Sequence, residues 1–302
     1  MKKQSKFGAR EAGLAKLICS MLIFSTIGIA VRGIAFPSGF IAMARGFIGV
    51  VVMLALMLVL GRRPSLAQIR ENLMYLLLSG AFIGFNWILL FESYRYTTVA
   101  TATLLYYMAP IFVTLLSPLF LGSKIGASRV LCVLAAFSGM ALLSEFWSLD
   151  FSQENSYIGI LCALGAAVLY AVVTLLNKKM GEISAEDKTL AQLLVAALVV
   201  LPYTLFAEEV TVGMFDLTSV LLLLFIGVLH TGIAYSLYFS SISALPADTV
   251  AVFSYIDPIG AVLLSVIFLD EKMSPFGILG AVLILVSAFM LDRLPTKEKS
   301  NN

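Results

Sequence analysis

Charge, histidine and cysteine are scarce in this sequence. Only 13% of its 302 residues are charged and 60% are hydrophobic, where a soluble domain carries about 25% charge. Together with a mean hydropathy of +0.99, this excludes a soluble globular chain and indicates an integral membrane protein. The single histidine, His230, leaves no His/Cys/carboxylate spacing for a metal, so neither a metal nor another cofactor is expected. The three cysteines, Cys19, Cys132 and Cys162, all fall in apolar runs and read as free thiols without a disulfide framework. There is no Walker A loop to make ATP the energy source, and no nucleophile–base motif, so the chain is not read as an enzyme.

What the chain does contain is apolar runs. Ten are counted, at roughly 13–33, 39–60, 72–93, 97–122, 128–147, 156–177, 188–207, 217–240, 246–269 and 274–292, each close to the length of about 20 residues that crosses a bilayer core. The first resembles a signal peptide in its basic start, but it lacks a small-residue cleavage site and is read as a helix. With the N-terminus inside, sixteen Lys and Arg flank the spans on the cytoplasmic side, and only Arg32, Arg95 and Lys272 lie outside. This bias predicts a multi-pass protein of the cell inner (plasma) membrane with both termini cytoplasmic. The basic residues are thereby explained as flanks, and no nucleic-acid partner is expected.

The runs also repeat. Residues 91–124 aligned with 239–272 give 12 identities in 34 positions, among them Ser93/Ser241, Tyr107/Tyr255, Pro110/Pro258 and Lys124/Lys272. Residues 1–147 are read as a first five-helix repeat, 156–292 as a second, and 293–302 as a cytoplasmic tail. Five is odd, so the second copy enters the membrane in the opposite sense. The expected fold is all-α, with ten transmembrane helices in a 5+5 inverted-topology repeat, an arrangement that places transporter sites near the midplane between the halves.

The 5+5 pattern resembles the EamA-type transporters of the drug/metabolite transporter superfamily. The resemblance rests on residues 100–110 followed by 119–124, and on 247–258 followed by Phe268-Leu269-Asp270-Glu271-Lys272. The second half has Glu271 where the first has Ser123. The resemblance implies export of a small metabolite, amino acids and related amphipathic compounds leading. It carries less information about substrate than about fold.

Candidate site residues follow from the cost of polarity in hydrocarbon, about 2.5–3.5 kcal/mol for a charge at a helix centre. Asp257, near the middle of run nine, is read as binding a cationic group or carrying a coupling proton. Its helical neighbours Ser254, Gly260, Ala261 and Ser265 suit a water-lined cavity. Pro258 lacks an N–H and frees the carbonyl of Ser254. Arg45, in run two, is placed to hold a carboxylate or phosphate. Helical rise sets it about 10 Å in depth from Asp257, leaving room for a substrate between them. His230 is a candidate proton relay. Asn86 and Trp87 offer an amide and a stacking surface, and Thr103, Tyr107, Thr114 and Ser117 form one polar face of run four. Pro110 and Pro258 are the shared mechanical feature, expected to gate with Asp257 and His230. Tyr255, turned about 200° from Asp257, is expected to serve another contact.

The reading is a secondary transporter working by alternating access, with proton coupling as one mechanism. Helices three, four, eight and nine line the cavity, and helices one, two, six and seven move against them. Helices five and ten face outward and are available to a second copy in a homodimer. The expected partners are a small-molecule substrate and the lipid bilayer. Alternatives are an exchanger of phosphorylated or sugar-linked metabolites, which needs more mid-depth basic residues than Arg45, and, from another class, an intramembrane enzyme or a receptor. An enzyme would need Asp257 and His230 within hydrogen-bond reach.

Overall fold

In hydrocarbon every backbone N–H and C=O has to be satisfied within the chain, so an apolar run of about 20 residues folds as a helix. The computed structural model describes residues 2–122, 126–144, 156–242, 245 and 253–294, and no strand occurs among them. The first half contains α1 (Lys2–Ser25), α2 (Ile27–Arg32), α3 (Ser38–Val59), α4 (Leu66–Glu71), α5 (Leu73–Tyr96), α6 (Val99–Tyr106), α7 (Ala109–Leu121) and α8 (Ala127–Ser144). There follow α9 (Ser156–Asn177), α10 (Ala185–Ala207), α11 (Leu217–Phe225), a π-helical stretch (Ile226–Ile233), α12 (Ala234–Ile242), α13 (Ile256–Leu269) and α14 (Pro275–Arg293). Among the described residues, seven helical stretches are long and apolar enough to cross a membrane, accompanied by three shorter apolar helices, Ala127–Leu143, Ile256–Leu269 and Pro275–Met290. The chain is a multi-pass membrane protein. Ser123, Lys124, most of the crossover between the expected halves, residues 246–252 and the tail beyond 294 lie outside the described residues.

Several expected spans are interrupted, each for a local reason. Run 97–122 is two helices, α6 and α7, separated by a turn at Tyr107 and Met108. Pro110 cannot donate to the carbonyl four residues back, so the ladder opens there. Run 246–269 turns at the matching residue, Tyr255, immediately before α13 and three residues before Pro258. Run 13–33 bends at Thr26, whose hydroxyl donates to the carbonyl of Ile23 at 2.8 Å. Run 217–240 passes through the π-helical stretch, where the Thr231 hydroxyl reaches the carbonyl of Ile226, five residues back, at 3.3 Å. Close packing on α3 accompanies the widening. A Cβ on Gly227 would sit 2.6 Å from Ile48 and one on Gly232 would sit 2.2 Å from Val52.

The helices pack in a definite set of pairs: α3 on α10 and on the π-helical stretch, α5 on α9 and α10, α1 on α12 and α13, α9 on α6 and α7, α6 on α13, and α8 on α14. The last pair meets at Gly139 and Gly280, where a Cβ on Gly280 would lie 2.5 Å from the Gly139 carbonyl oxygen. Small residues permit such approaches, and dispersion then holds helices together in lipid, where the hydrophobic effect does not. Phe36, Phe91, Met53, Leu104, Leu105 and Ile111 fill the interior. Large apolar side chains also point outward, with Val59 84%, Leu119 81% and Phe206 89% exposed, as expected of a surface that meets acyl chains.

Helix ends are closed by side chains. Ser65, Thr98, Ser184 and Asp216 each accept a hydrogen bond from the backbone N–H three residues on, satisfying a donor the helix leaves open. Two carboxylates cap from other helices. Glu208, beyond α10, accepts from the N–H groups of Gly39 and Phe40 at 2.8 Å each. Glu271, beyond α13, accepts from Val99 and Ala100 at 2.9 and 3.2 Å. Both lie on the face that holds the start of α3 and the end of α5. That face is thereby tied together across helices.

Candidate functional site

Arg45 is only 3% exposed in the middle of α3. Its Nε donates to the Thr231 hydroxyl at 3.1 Å. Its guanidinium lies 4.1 Å from the centre of the Trp87 ring and 5.4 Å from that of Phe91. No acid among the described residues pairs with it: the ion pairs found are Arg32–Glu271, Arg62–Glu186 and Arg95–Glu92. A guanidinium has five N–H donors, and one is used. Each ring contributes about 0.5–2 kcal/mol by cation–π attraction, whereas burying an ion costs several kcal/mol. With the Thr231 hydrogen bond, about 1.5–3 kcal/mol for a charged group, these neutral contacts are of the same order as that cost, so the charge is held without an acid among the described residues.

Asp257 stands on α13, one residue before Pro258. The Tyr107 hydroxyl donates to its Oδ2 at 2.8 Å and lies 3.5 Å from the Ser254 carbonyl oxygen, the acceptor that Pro258 releases. Tyr107 is the residue at which run four breaks, so the two interrupted helices meet at this contact. Asp257 and Tyr107 are both part-buried. The ion pairs among the described residues do not include one between Asp257 and Arg45.

A group of tyrosines neighbours these two residues. Tyr94 is within electrostatic reach of both Asp257 and Arg45, and its hydroxyl faces Thr103. Tyr106 is in reach of Tyr94, Tyr170 and Tyr235, and its hydroxyl faces Asn86. The Tyr106 and Tyr170 ring centres are 5.6 Å apart, and Tyr238 faces Ser254. Of Tyr94, Tyr106, Tyr107, Tyr170, Tyr235 and Tyr238, only Tyr94 is fully buried. These tyrosines come from α5, α6 and the turn that follows it, α9 and α12. Asn86 itself donates to the Ala166 carbonyl at 2.5 Å, tying α5 to α9.

His230 is fully buried in the π-helical stretch, with its Nε2 3.0 Å from the Thr26 hydroxyl and its ring 5.1 Å from that of Phe225. Its Nδ1 has no hydrogen-bond partner among the described residues. It bonds to the bend of the first run and is not hydrogen-bonded to Asp257, so the pair an intramembrane enzyme would need is not assembled. Thr114 is buried, and Ser117 donates to the Thr114 carbonyl at 2.9 Å. Tyr255 contacts the rings of Tyr107 and Phe289 at 6.3 and 6.2 Å. Tyr94, Tyr106, Tyr170, Tyr235, Tyr238 and Thr231 were not singled out from sequence. One signal was available: Tyr235 stands opposite Trp87 at the repeat offset of 148.

Comparison with known proteins agrees with this architecture. The EamA-like transporter family matches the chain twice, over residues 11–145 and 157–292. The chain is 26% identical to the uncharacterized transporter YxxF of Bacillus subtilis over 275 residues, covering 91% of this chain and 88% of the relative. It is 29% identical to protein RarD of Salmonella typhi over 241 residues, 76% of each. A solved crystal structure at 20% identity superimposes with a TM-score of 0.63, covering 92% of this chain and 95% of its own, and so shares the fold. The family match and the name of the Bacillus subtilis relative align the chain with transporters. With both halves matched by one family model, the chain belongs to the EamA-like transporter family.

Proposed function

We propose that this membrane transporter is a secondary exporter of small metabolites, amino acids or related amphipathic compounds, working by alternating access. The observation that carries the reading is Arg45: a buried cation with no acidic partner among the described residues, sharing a neighbouring group of tyrosines with a part-buried carboxylate. In this reading Arg45, backed by Trp87 and Phe91, holds the anionic end of a substrate. Asp257 takes the cationic end or a coupling proton, and the tyrosines, Asn86 and Thr103 receive the body. The contact of Tyr107 with Asp257 and Ser254 couples the site to the breaks before Pro110 and Pro258. The inverted 5+5 repeat is part of the proposal. Exchanging each helix for its counterpart leaves the packing pattern unchanged: α5–α9 maps onto α12–α1, α5–α10 onto the π-helical stretch and α3, and α8–α14 onto itself. The two matches of the family model support the same duplication, and the charge bias supports cytoplasmic termini. The test is an unbiased metabolite comparison of vesicles with and without the protein, repeated under an imposed pH gradient. A solute depleted from protein-containing vesicles identifies the substrate. Identical contents in both preparations, with correctly folded protein, would overturn the reading.

A further inference from the structure

A polar cleft whose lining includes neither Arg45 nor Asp257 opens on the face that the proposed topology makes external. It is a cleft of about 500 Å³ lined by Val31, Arg32, Ile34, Ala35, Tyr94 and Arg95, within the size range of small-molecule sites. Its lining holds two cations and no acid. How those cations are held matters. Arg32 donates from Nε to the Tyr94 carbonyl at 3.0 Å and from Nη2 to the Thr97 carbonyl at 2.6 Å. Arg95 donates from Nη2 to the Phe36 carbonyl. Backbone carbonyls fix a guanidinium without cancelling its charge. The nearest carboxylates only partly offset it: Glu271 lies 3.4 Å from Arg32 and Glu92 lies 3.9 Å from Arg95. Both carboxylates are also engaged elsewhere, Glu271 with the start of α6 and Glu92 with the Ser38 hydroxyl at 2.6 Å. Nη1 of each arginine keeps its donors free of hydrogen bonds among the described residues. Planar forks of this kind, positioned in advance, suit the bidentate recognition of carboxylates and phosphates.

We infer that this cleft is an anion-binding vestibule, a second station for the anionic end of a small organic solute, in which Arg32 and Arg95 supply the charge and Tyr94 forms the floor. Tyr94 is buried, lines the cleft, and lies within electrostatic reach of Arg45 and Asp257 on its inner side. It divides the vestibule from the central site, so that an anion leaving Arg45 meets a second arginine pair once the tyrosine moves. The assignment of this face as external rests on the proposed topology, and its role as a second station rests on the export reading; the binding site itself rests on neither.

The test is equilibrium binding to the purified full chain in detergent at constant ionic strength. Benzoate and inorganic phosphate serve as probes, read by ligand-induced thermal stabilisation. Saturable stabilisation is expected in the wild type and in Arg45→Gln, with apparent affinity falling at least fivefold in Arg32→Gln and in Arg95→Gln. Arg32→Lys and Arg95→Lys keep the charge without the fork and are expected to lie between. They also serve where a glutamine variant does not fold. Tighter binding of benzoate assigns the site to the carboxylate of a transported solute; tighter binding of phosphate assigns it to inorganic or headgroup phosphate. Absence of saturable binding, or loss of binding in Arg45→Gln alone, overturns the vestibule. Failure of transport with these affinities intact would instead count against the export reading.

Discussion

Tyr107 donates a hydrogen bond of 2.8 Å to Oδ2 of Asp257, and both residues sit where a proline has interrupted a membrane helix. The contact joins the chemistry of the site to its mechanics. Anything that competes for the carboxylate, a proton or a substrate ammonium, also changes how the two broken helices are tied.

The first prediction follows from that contact. Asp257→Asn should abolish the response of reconstituted transport to a pH gradient while leaving the protein folded. Tyr107→Phe should retain the response and lower the rate about tenfold, since a hydrogen bond to a charged group contributes about 1.5–3 kcal/mol. Flux measured with and without an imposed gradient checks both. A gradient response that survives in Asp257→Asn removes this carboxylate from coupling.

A second prediction concerns the buried cation. Arg45→Lys keeps the charge but gives up the fork and most of the contact with Trp87 and Phe91. It should weaken transport of an anionic substrate about tenfold, and Arg45→Gln should weaken it further. Trp87→Phe should cost less, because Phe91 still faces the guanidinium and one cation–π contact contributes about 0.5–2 kcal/mol. Initial rates over a range of substrate concentration separate a binding loss from a rate loss. Equal transport by the wild type and Arg45→Gln would leave the arginine a packing role only.

How much of this was legible in the sequence differs residue by residue. The spans, the prolines, Arg45 and Asp257 are costly or conformationally forced in hydrocarbon, so they stand out from composition alone. The bend at Thr26 and the π-helical stretch do not. A threonine in an apolar run looks like any other packing residue. Gly227 and Gly232 are five apart, about 140° around an α-helix at 100° per residue, and share a face only when the backbone bonds over five residues. The tyrosines were hidden for a different reason. A tyrosine in an apolar helix is equally at home in packing, at an interface or around a cavity, and only the convergence of several helices distinguishes these uses.

Glu208 gives a pH-dependent prediction beyond the end of α10. Burial lifts its carboxyl above the usual range, and the N–H groups of Gly39 and Phe40 act in the opposite direction. With the folded value raised above the unfolded one, the stability it contributes is full below the unfolded pKa and declines as pH rises through the folded value. Glu208→Gln should therefore keep much of the cap and lose this dependence, whereas Glu208→Ala should cost about 1 kcal/mol, as loss of a helix cap does. Thermal unfolding in detergent, followed upward from about pH 4, just below the ordinary glutamate pKa of about 4.3, tests both. Parallel pH profiles for Glu208→Gln and the wild type would contradict the account.

Two glycines of α14 should respond oppositely to the same substitution. At Gly280 a Cβ would lie 2.5 Å from both the Gly139 carbonyl oxygen and the Leu143 backbone nitrogen, and backbone cannot rotate away as a side chain can. Gly280→Ala should separate α14 from α8 and cost about 1–3 kcal/mol, the usual range for overpacking. At Gly277 the nearest atom to a new Cβ would be the Ser274 hydroxyl oxygen at 3.6 Å, an ordinary contact. Gly277→Ala should therefore stabilise the helix, by up to about 1 kcal/mol from propensity alone. Melting temperatures of the two variants in one detergent should fall on opposite sides of the wild type. If both rise, the contact between Gly139 and Gly280 is not what holds these helices together.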